Sequence, residues 1–300
     1  MKTAFAFLLL SAVGSAQAVT LSELAAKDPP TLFVAKKGVE MPSHHDQTNN
    51  LKEDDRALLL SDTGLTDITG ISSLIVTDEG RQVPLKSVKN LHLFLNQNDL
   101  STLPDELGQL DNVSFMYFEH NKRLHQIPEA ITQMDALEGM YFTDCDFKAI
   151  PAFVFGMARL KKLQFSSNYL TELPAAIGNL AELRHLNMAH NQISSIPESI
   201  SNLTRLRVCD LSDNPFTTLP ESFGKVQIVN QLRVKNCPIT ALPAGFATMR
   251  ATIDITGTKI DESRLPPELR AKISTEKPPG SKEPEKMIVK PKEKTEKNGK

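Results

Sequence analysis

The chain has 300 residues, of which 34 are Lys or Arg, 36 are Asp or Glu, and 40% are hydrophobic. This length allows one or two domains with a substantial core. A formal net charge of −2 leaves no cationic excess to balance nucleic-acid phosphates, so we expect no nucleic-acid partner. Three Cys cannot build a disulfide scaffold.

The first 18 residues carry the pattern of a secretory signal peptide. Lys2 precedes a mostly apolar run over residues 3–13, and Ala16 and Ala18 form an A-x-A cleavage site. The run is too short to span a bilayer and no later run is long enough, so we predict no membrane span. We expect a mature chain that begins near Val19 in the periplasm or outside the cell. A cytoplasmic protein whose amino-terminal apolar run is not a leader is the alternative.

Residues 19–56 are expected to form an amino-terminal cap or linker. Residues 21–26 predict a short helix that ends at Asp28-Pro29-Pro30. His44-His45-Asp46 could ligate a metal, but adjacent His residues on a polar linker lack the spacing of a closed site. We therefore expect neither a metal nor a cofactor.

Residues 57–68 predict a degenerate first repeat of the array that follows. Residues 71–90 then break the period, and Asp78-Glu79-Gly80 indicates a hairpin-like turn inserted between repeats. The regular repeats occupy about residues 90–260, within a domain that we place at residues 57–270.

Seven segments share one pattern: an apolar residue, Pro, two variable residues, an apolar residue, two variable residues and a further apolar residue. The spacing between consecutive prolines is 24 once and 23 five times, which indicates a repeat architecture. The prolines are Pro104, Pro128, Pro151, Pro174, Pro197, Pro220 and Pro243.

Between these segments lies an L-x-x-L-x-L-x-x-N pattern, clearest in Leu160-Leu163-Phe165-Asn168, Leu183-Leu186-Met188-Asn191 and Leu206-Cys209-Leu211-Asn214. Over residues 56–262 the chain resembles the leucine-rich repeat family in its 23-residue L-x-x-L-P form. The resemblance implies an α/β solenoid, a horseshoe with a parallel concave sheet and a helical or irregular convex side. It also implies macromolecular binding without catalysis. The alternating strand residues favour the same fold independently, because one set points inward and the other onto the sheet face.

The Asn at the end of each pattern is expected to turn inward and satisfy backbone groups of adjacent turns. Cys145 and Cys237 occupy this same position, and Cys209 occupies an apolar strand position. All three should be buried thiols that act as small hydrophobic residues. Cys145 and Cys237 are four repeats apart, about 19 Å at one strand spacing per repeat, which no disulfide can bridge.

The register places a group of aromatic and polar side chains on the concave face near its amino-terminal end. We predict a binding patch there for a protein, peptide or glycan ligand, because exposed clustered aromatics are typical of binding hot spots. The patch consists of His92, Phe94, Phe115, Tyr117, Glu119 and Tyr141, with His120 beside it. Alternatively, the aromatics stack on each other and cover the sheet, or the insertion at residues 71–90 folds over them.

A second set of concave residues lies further along the face, and it consists of Lys162, His185, Asp210 and Arg233. His185 and His190 should lie near Asp210 and Asp213, an arrangement that could titrate near neutral pH; a hydrolase site built from these four residues is the alternative. The sequence has no nucleophile motif, metal-binding motif or phosphate loop, so we expect no catalytic residues.

The carboxyl-terminal end combines a closing unit with a polar tail. Ile253, Ile255, Thr258 and Ile260 predict a last, shortened strand, and residues 264–269 are expected to close the stack. Residues 271–300 have nine Lys, five Glu and four Pro, a composition that does not bury enough surface to fold. This tail is either a solubilising extension or a tether to an anionic surface.

The sequence thus predicts an exported binding protein that recognises its ligand on the concave sheet. Two alternatives remain: an intracellular signalling adaptor, whose relatives share the 23-residue repeat form, and a structural envelope protein whose tail binds the cell wall.

Overall fold

The computed structural model describes residues 19–27, 30–34, 51–52 and 54–274. The predicted leader at residues 1–18, His44-His45-Asp46 and the tail beyond Ser274 lie outside the described residues. Within them, no helix is long and apolar enough to cross a membrane.

A single sheet of ten strands dominates the described part of the chain. Nine of its strands run parallel and follow one another in chain order, and an antiparallel strand, β2 (Phe33–Val34), lies beyond the first of them. The parallel strands are β3 (Arg56–Leu59), β7 (Leu91–Phe94), β8 (Val113–Tyr117), β9 (Gly139–Tyr141), β10 (Lys162–Gln164), β11 (His185–Asn187), β12 (Val208–Asp210), β13 (Gln231–Arg233) and β14 (Thr252–Asp254).

The strand register confirms the predicted repeat alignment. Lys162 on β10 pairs with His185 on β11, which pairs in turn with Val208 on β12. In each of these strands the central residue is buried and its two neighbours are half-buried. The alternation therefore assigns one set of side chains to the core and the other to the concave face, as predicted.

Short 3-10 turns form the convex side, and the repeat prolines set their starts. Each turn of the regular array begins directly after a repeat Pro, whose ring fixes φ and whose carbonyl accepts the backbone N–H three residues later, as for Leu107 and Pro104 at 3.1 Å. The turns cover Ile71–Ser73, Leu85–Ser87, Asp105–Gln109, Glu129–Gln133, Ala152–Gly156, Ala175–Asn179, Glu198–Asn202, Glu221–Lys225, Ala244–Thr248 and Glu262–Arg264.

The amino-terminal cap joins the first repeat through several short elements. Strand β1 (Val19–Thr20) leads into helix α1 (Leu21–Lys27), which confirms the predicted short helix. Strand β1 pairs in parallel with β4 (Leu65–Asp67), and Leu21 is buried in the core. Because β2 pairs antiparallel with β3, the outer edge of the first parallel strand is also covered.

The insertion after the first repeat is a hairpin, as predicted. Strands β5 (Ile75–Asp78) and β6 (Arg81–Pro84) pair antiparallel around a two-residue turn. Glu79 and Gly80 both have positive φ, of 46° and 82°, which is the backbone of the tight turn that matches strand twist.

The inward-turned Asn residues satisfy backbone groups between repeats, which confirms their predicted role. Asn168 donates to the carbonyl oxygen of Phe142 at 2.7 Å and accepts the N–H of Phe147 at 3.0 Å. Cys145 and Cys237 substitute for Asn by donating a thiol hydrogen to the equivalent carbonyls, at 3.3 Å in both cases. The ladder therefore continues through repeats that lack Asn.

The three thiols are free and buried, as predicted. Burial raises the pKa of Cys145 to about 12 and that of Cys237 to about 11, and it also raises the pKa of Cys209. Because the thiolate is the nucleophile and the metal ligand, these residues contribute packing and hydrogen bonds rather than reactivity.

The carboxyl-terminal unit closes the last strand, as predicted. Leu269 in helix α2 (Pro267–Arg270) is buried, and the N–H of Ser274 donates to the carbonyl of Ile253 on β14 at 2.9 Å. Arg270 donates to three carbonyl oxygens of the preceding loop. The carboxyl-terminal edge of the sheet is therefore partly paired.

Candidate functional site

The concave face divides into a buried aromatic part and an accessible polar part. Strands β7 to β9 carry the aromatic side chains, and strands β10 to β14 carry half-buried or exposed polar ones. The sequence placed both groups on this face correctly, but the two parts differ in what they can contact.

The predicted aromatic patch is not exposed, so the sequence-based expectation of accessible rings is wrong. His92, Phe94, Tyr117 and Tyr141 are at most 1% exposed, and Phe115 is 7% exposed. Glu119 is half-buried. A binding role for the six residues stays a prediction, but the five rings cannot serve as a surface in this arrangement.

Stacking buries the ring faces. The Tyr117 ring lies between Phe94, with centroids 4.2 Å apart, and Tyr141, with centroids 4.5 Å apart. These distances match the spacing of neighbouring strands, which is about 4.8 Å, so equivalent aromatic residues in successive repeats are brought into face-to-face contact. The predicted alternative, in which the aromatics stack on each other, is therefore what the structure has.

Gly139 makes room for a second row of rings beside the first. Phe115 lies over it, and a Cβ atom at position 139 would approach the Phe115 ring to 2.4 Å. His92 stacks on the other face of Phe115, with centroids 4.7 Å apart, and Lys162 Nζ lies 5.9 Å from the Phe115 ring centroid. The aromatic part of the face therefore ends at Lys162.

His92 is a buried histidine with one satisfied nitrogen. Its Nε2 lies 3.3 Å from Asp55 Oδ2, whereas Nδ1 is buried without a hydrogen-bond partner. Protonation would place an N–H at Nδ1 with no acceptor, in a site shielded from water. Burial accordingly lowers the pKa of His92 to about 4, despite the opposing effect of Asp55.

This pKa predicts a loss of stability on mild acidification. The unfolded chain binds a proton near pH 6.5 and the folded chain near pH 4, so the contribution of His92 is complete above pH 6.5 and is lost as the pH falls toward 4. We expect H92Q to remove about 2 kcal/mol of the difference in unfolding free energy between pH 7 and pH 4.5, measured by urea titration.

The matched control is H125Q, at an exposed histidine whose Nδ1 lies 2.9 Å from the carbonyl oxygen of Arg123. It should keep the pH dependence of the wild-type protein. Equal pH dependence in H92Q and the wild type would show that His92 is not the neutral buried group described above.

The accessible part of the concave face is polar except for Val208, and it carries both signs of charge. Its side chains lie on adjacent strands in one continuous register. They are Lys162, Gln164, His185, Asn187, Val208, Asp210, Gln231, Arg233, Thr252 and Asp254, of which Thr252 is exposed and the rest are half-buried.

The second predicted set lies within this accessible part, but it does not form one cluster. Asp210 pairs with Arg233, with Oδ2 and Nη1 3.2 Å apart. Lys162 and His185 are neighbours on β10 and β11. Burial lowers the pKa of Lys162, and burial together with the nearby cations lowers the pKa of His185 to about 4.

The arrangement considered for a hydrolase is only partly assembled. His190 Nδ1 lies 3.5 Å from Asp213 Oδ2, but His185 pairs across the sheet with Val208, and Asp210 pairs with Asn187. Among the residues that the structure describes, no group of three or more His, Cys, Asp or Glu side chains could hold a metal ion.

A row of residues with the left-handed backbone conformation (positive φ) lies at the ends of the strands in successive repeats. The sequence analysis did not predict this row. Each residue directly precedes the inward Asn or Cys and has φ between 54° and 61°. The row consists of Gln97, His120, Asp144, Ser167, His190, Asp213 and Asn236. Its side chains interact across repeats, as in the 2.8 Å contact between His120 Nδ1 and Asp144 Oδ2. These contacts join polar side chains along one edge of the concave face.

Family comparisons identify the repeats directly. A family model described as "Leucine-rich repeat region" matches residues 174–271, and one described as "Leucine rich repeat" matches residues 135–193. The comparison with curated protein sequences gives no match.

Solved structures share the fold at low sequence identity. A leucine-rich repeat protein of Leptospira interrogans is 23% identical, with a TM-score of 0.61 over 79% of this chain and 63% of that one. The ectodomain of the Arabidopsis thaliana receptor kinase GASSHO1/SCHENGEN3 is 20% identical, with a TM-score of 0.55 over 76% of this chain and 29% of that one. Internalin C2 of Listeria monocytogenes is 18% identical, with a TM-score of 0.53 over 72% of this chain and 88% of that one.

The chain thus spans 63% and 29% of the length of the first two proteins, and the likeness to all three concerns the fold. The matched repeats, the parallel sheet with its 3-10 turns, and the inward Asn and Cys ladder agree with one another. Residues 135–271 therefore match leucine-rich repeats, and the described chain has the fold of a leucine-rich repeat solenoid.

Proposed function

We propose that this protein is exported and binds a protein or peptide ligand on the accessible part of its concave face, without catalysis. Leucine-rich repeat domains typically bind proteins through such extended concave surfaces. The observation that carries the proposal is the continuous strip of mostly polar, partly accessible side chains on β10 to β14. The strip offers donors, acceptors and both charge signs on a rigid sheet, as a protein interface requires.

A glycan is the less favoured ligand. Sugar rings present apolar faces that stack on exposed aromatic side chains, and the concave rings of this chain are buried against each other. The polar strip that remains suits hydrogen bonding and charge pairing with a polypeptide.

The proposal of export rests on the amino-terminal sequence, where the apolar run is followed by the A-x-A pattern that ends at Ala18. An exported binding protein would meet its partner in the periplasm or outside the cell. The free thiols are compatible with that location, because their burial keeps them from oxidation.

Photo-crosslinking in the producing cells tests both parts of the proposal. A photoreactive residue at Asn187, on the concave face, should capture a discrete polypeptide, whereas one at the exposed Asn202, on the convex side, should not. Sequencing the amino terminus of the recovered protein should give Val19 as its first residue. Equal capture from both positions would contradict concave recognition, and an uncleaved Met1 would contradict export.

A further inference from the structure

Two arginines lie side by side at the edge of the accessible concave strip. Arg184 directly precedes β11 and Arg207 directly precedes β12, and the N–H of Arg207 donates to the carbonyl of Arg184 at 2.8 Å. Neighbouring strands are about 4.8 Å apart, so the two side chains start from adjacent points on the same edge. Arg184 is half-buried and Arg207 is exposed.

The two arginines lack the carboxylate partners that nearby cations have. Lys161 pairs with Glu138 and Arg205 pairs with Glu182, each across one repeat. In the described part of the chain, neither Arg184 nor Arg207 lies within 4.0 Å of a carboxylate. The edge of β11 and β12 therefore carries positive charge that these contacts do not compensate.

The same positive charges affect the pKa of His185, which lies on the accessible strip. Its pKa is lowered first by burial and then by the positive charges of Lys162, Arg207 and Arg184. All three cations are therefore close enough to act on one side chain. His185 stays neutral at physiological pH, where it can donate or accept a hydrogen bond without adding charge.

The positive region has clear boundaries along the sheet. One repeat before Lys161, the equivalent position is Glu138, and one repeat after Arg207 it is Asn230. On the concave strip, Asp210 and Arg233 compensate each other. The uncompensated cations therefore lie at β11 and β12, about 5 Å apart at one strand spacing.

We propose that Arg184 and Arg207 bind the carboxylates of an acidic segment in the protein partner, an inference that rests on the proposed function. An extended peptide advances about 3.3 Å per residue and alternate side chains lie on one face, so carboxylates two residues apart, about 6.6 Å, can reach two arginines on neighbouring strands. The fork of an Arg guanidinium matches a carboxylate in two parallel hydrogen bonds. The amides of Gln164 and Asn187, half-buried on the adjoining strip, can contact the peptide backbone.

The probe is a fluorescein-labelled octapeptide of alternating Glu and Ser, with an octapeptide of alternating Gln and Ser as its neutral counterpart. Fluorescence anisotropy with the full chain at low ionic strength should show binding of the Glu peptide, weakened by added salt. The double reversal R184E/R207E should lower that affinity by at least about tenfold. The Gln peptide should bind weakly or not at all.

The control variant is R81E/R250E, which makes the same change of net charge at two exposed arginines outside β11 and β12 and the residues that directly precede them. It keeps the Lys-rich residues beyond Ser274 unchanged and should bind the Glu peptide like the wild type. Equal weakening in both double variants, or none in either, would assign peptide binding to net charge or to the tail and overturn the inference. Displacement by millimolar inorganic phosphate would assign the site to phosphate instead.

The peptide-binding experiment and the crosslinking experiment test the acidic-segment inference and the proposed function separately. Concave crosslinking from Asn187 with no Glu-peptide binding would reject the acidic segment alone. Peptide binding at the arginines without concave crosslinking in cells would reject the proposed function alone.

Discussion

Replacing Tyr117 with Ala should cost about 3–5 kcal/mol of unfolding free energy, because the ring is fully buried and has an aromatic neighbour on each face. Removal leaves a cavity between Phe94 and Tyr141 that the flanking strands cannot close without changing their spacing. Urea unfolding of the full chain measures the loss. This expectation contrasts with that for a surface tyrosine of a binding patch, whose truncation would abolish capture and leave stability unchanged.

Tyr169 provides the matched control, because it is 51% exposed. We expect Y169A to change stability by no more than about 0.5 kcal/mol. If Y117A proved as mild as Y169A, the aromatic rings would not belong to the core, and the original interpretation as a ligand surface would regain its support.

The sequence predicted the strand register, but it left open whether the aromatic rings on the sheet face are exposed or buried. The period of 23 residues and the apolar alternation determine which face of the sheet each side chain occupies. They do not determine whether neighbours on that face cover one another. Phe94, Tyr117 and Tyr141 occupy equivalent positions in three successive repeats, and a strand spacing of about 4.8 Å is also a stacking distance.

The left-handed residues carry a weak signal in the sequence. Asp, Asn and His tolerate positive φ better than other non-glycine residues, and they supply most members of the row that ends with Asn236. The signal is weak because Gln97 and Ser167 adopt the same backbone. What requires this backbone is the turn that brings the next residue inward, and that turn is visible only once the strand ends are located.

The sequence analysis did not predict the cluster of cations at the edge of β11 and β12, for a different reason. Lys161, Arg184 and Arg207 recur with the repeat period, but each precedes its strand and lies outside the alternating concave set. Their relation depends on backbone pairing between repeats and on which cations have carboxylate partners. Side-chain pairing across repeats cannot be inferred from spacing alone.

The second large effect is expected at the inward ladder, where N168A should cost about 3 kcal/mol. Asn168 is 5% exposed and connects the carbonyl of Phe142 with the N–H of Phe147, both in the preceding repeat. Ala leaves one acceptor and one donor buried without partners, at about 1–3 kcal/mol each. Because each repeat is stabilised by its neighbours, a loss at this central position weakens the stack on both sides. Urea unfolding measures it.

The variant N168C separates the two hydrogen bonds of the Asn168 side chain: the one that it donates to the Phe142 carbonyl and the one that it accepts from the Phe147 N–H. At Cys145 and Cys237 the thiol donates to the equivalent carbonyl, so Cys at 168 should keep the bond to Phe142. Sulfur is a weak acceptor, so the N–H of Phe147 should stay poorly satisfied. We therefore expect N168C to recover about half of the stability lost in N168A, and the exposed N179A to lose almost none. Equal losses in N168C and N168A would show that the donated bond contributes little, and that the cysteines at 145 and 237 are tolerated for their size rather than for their hydrogen bonds.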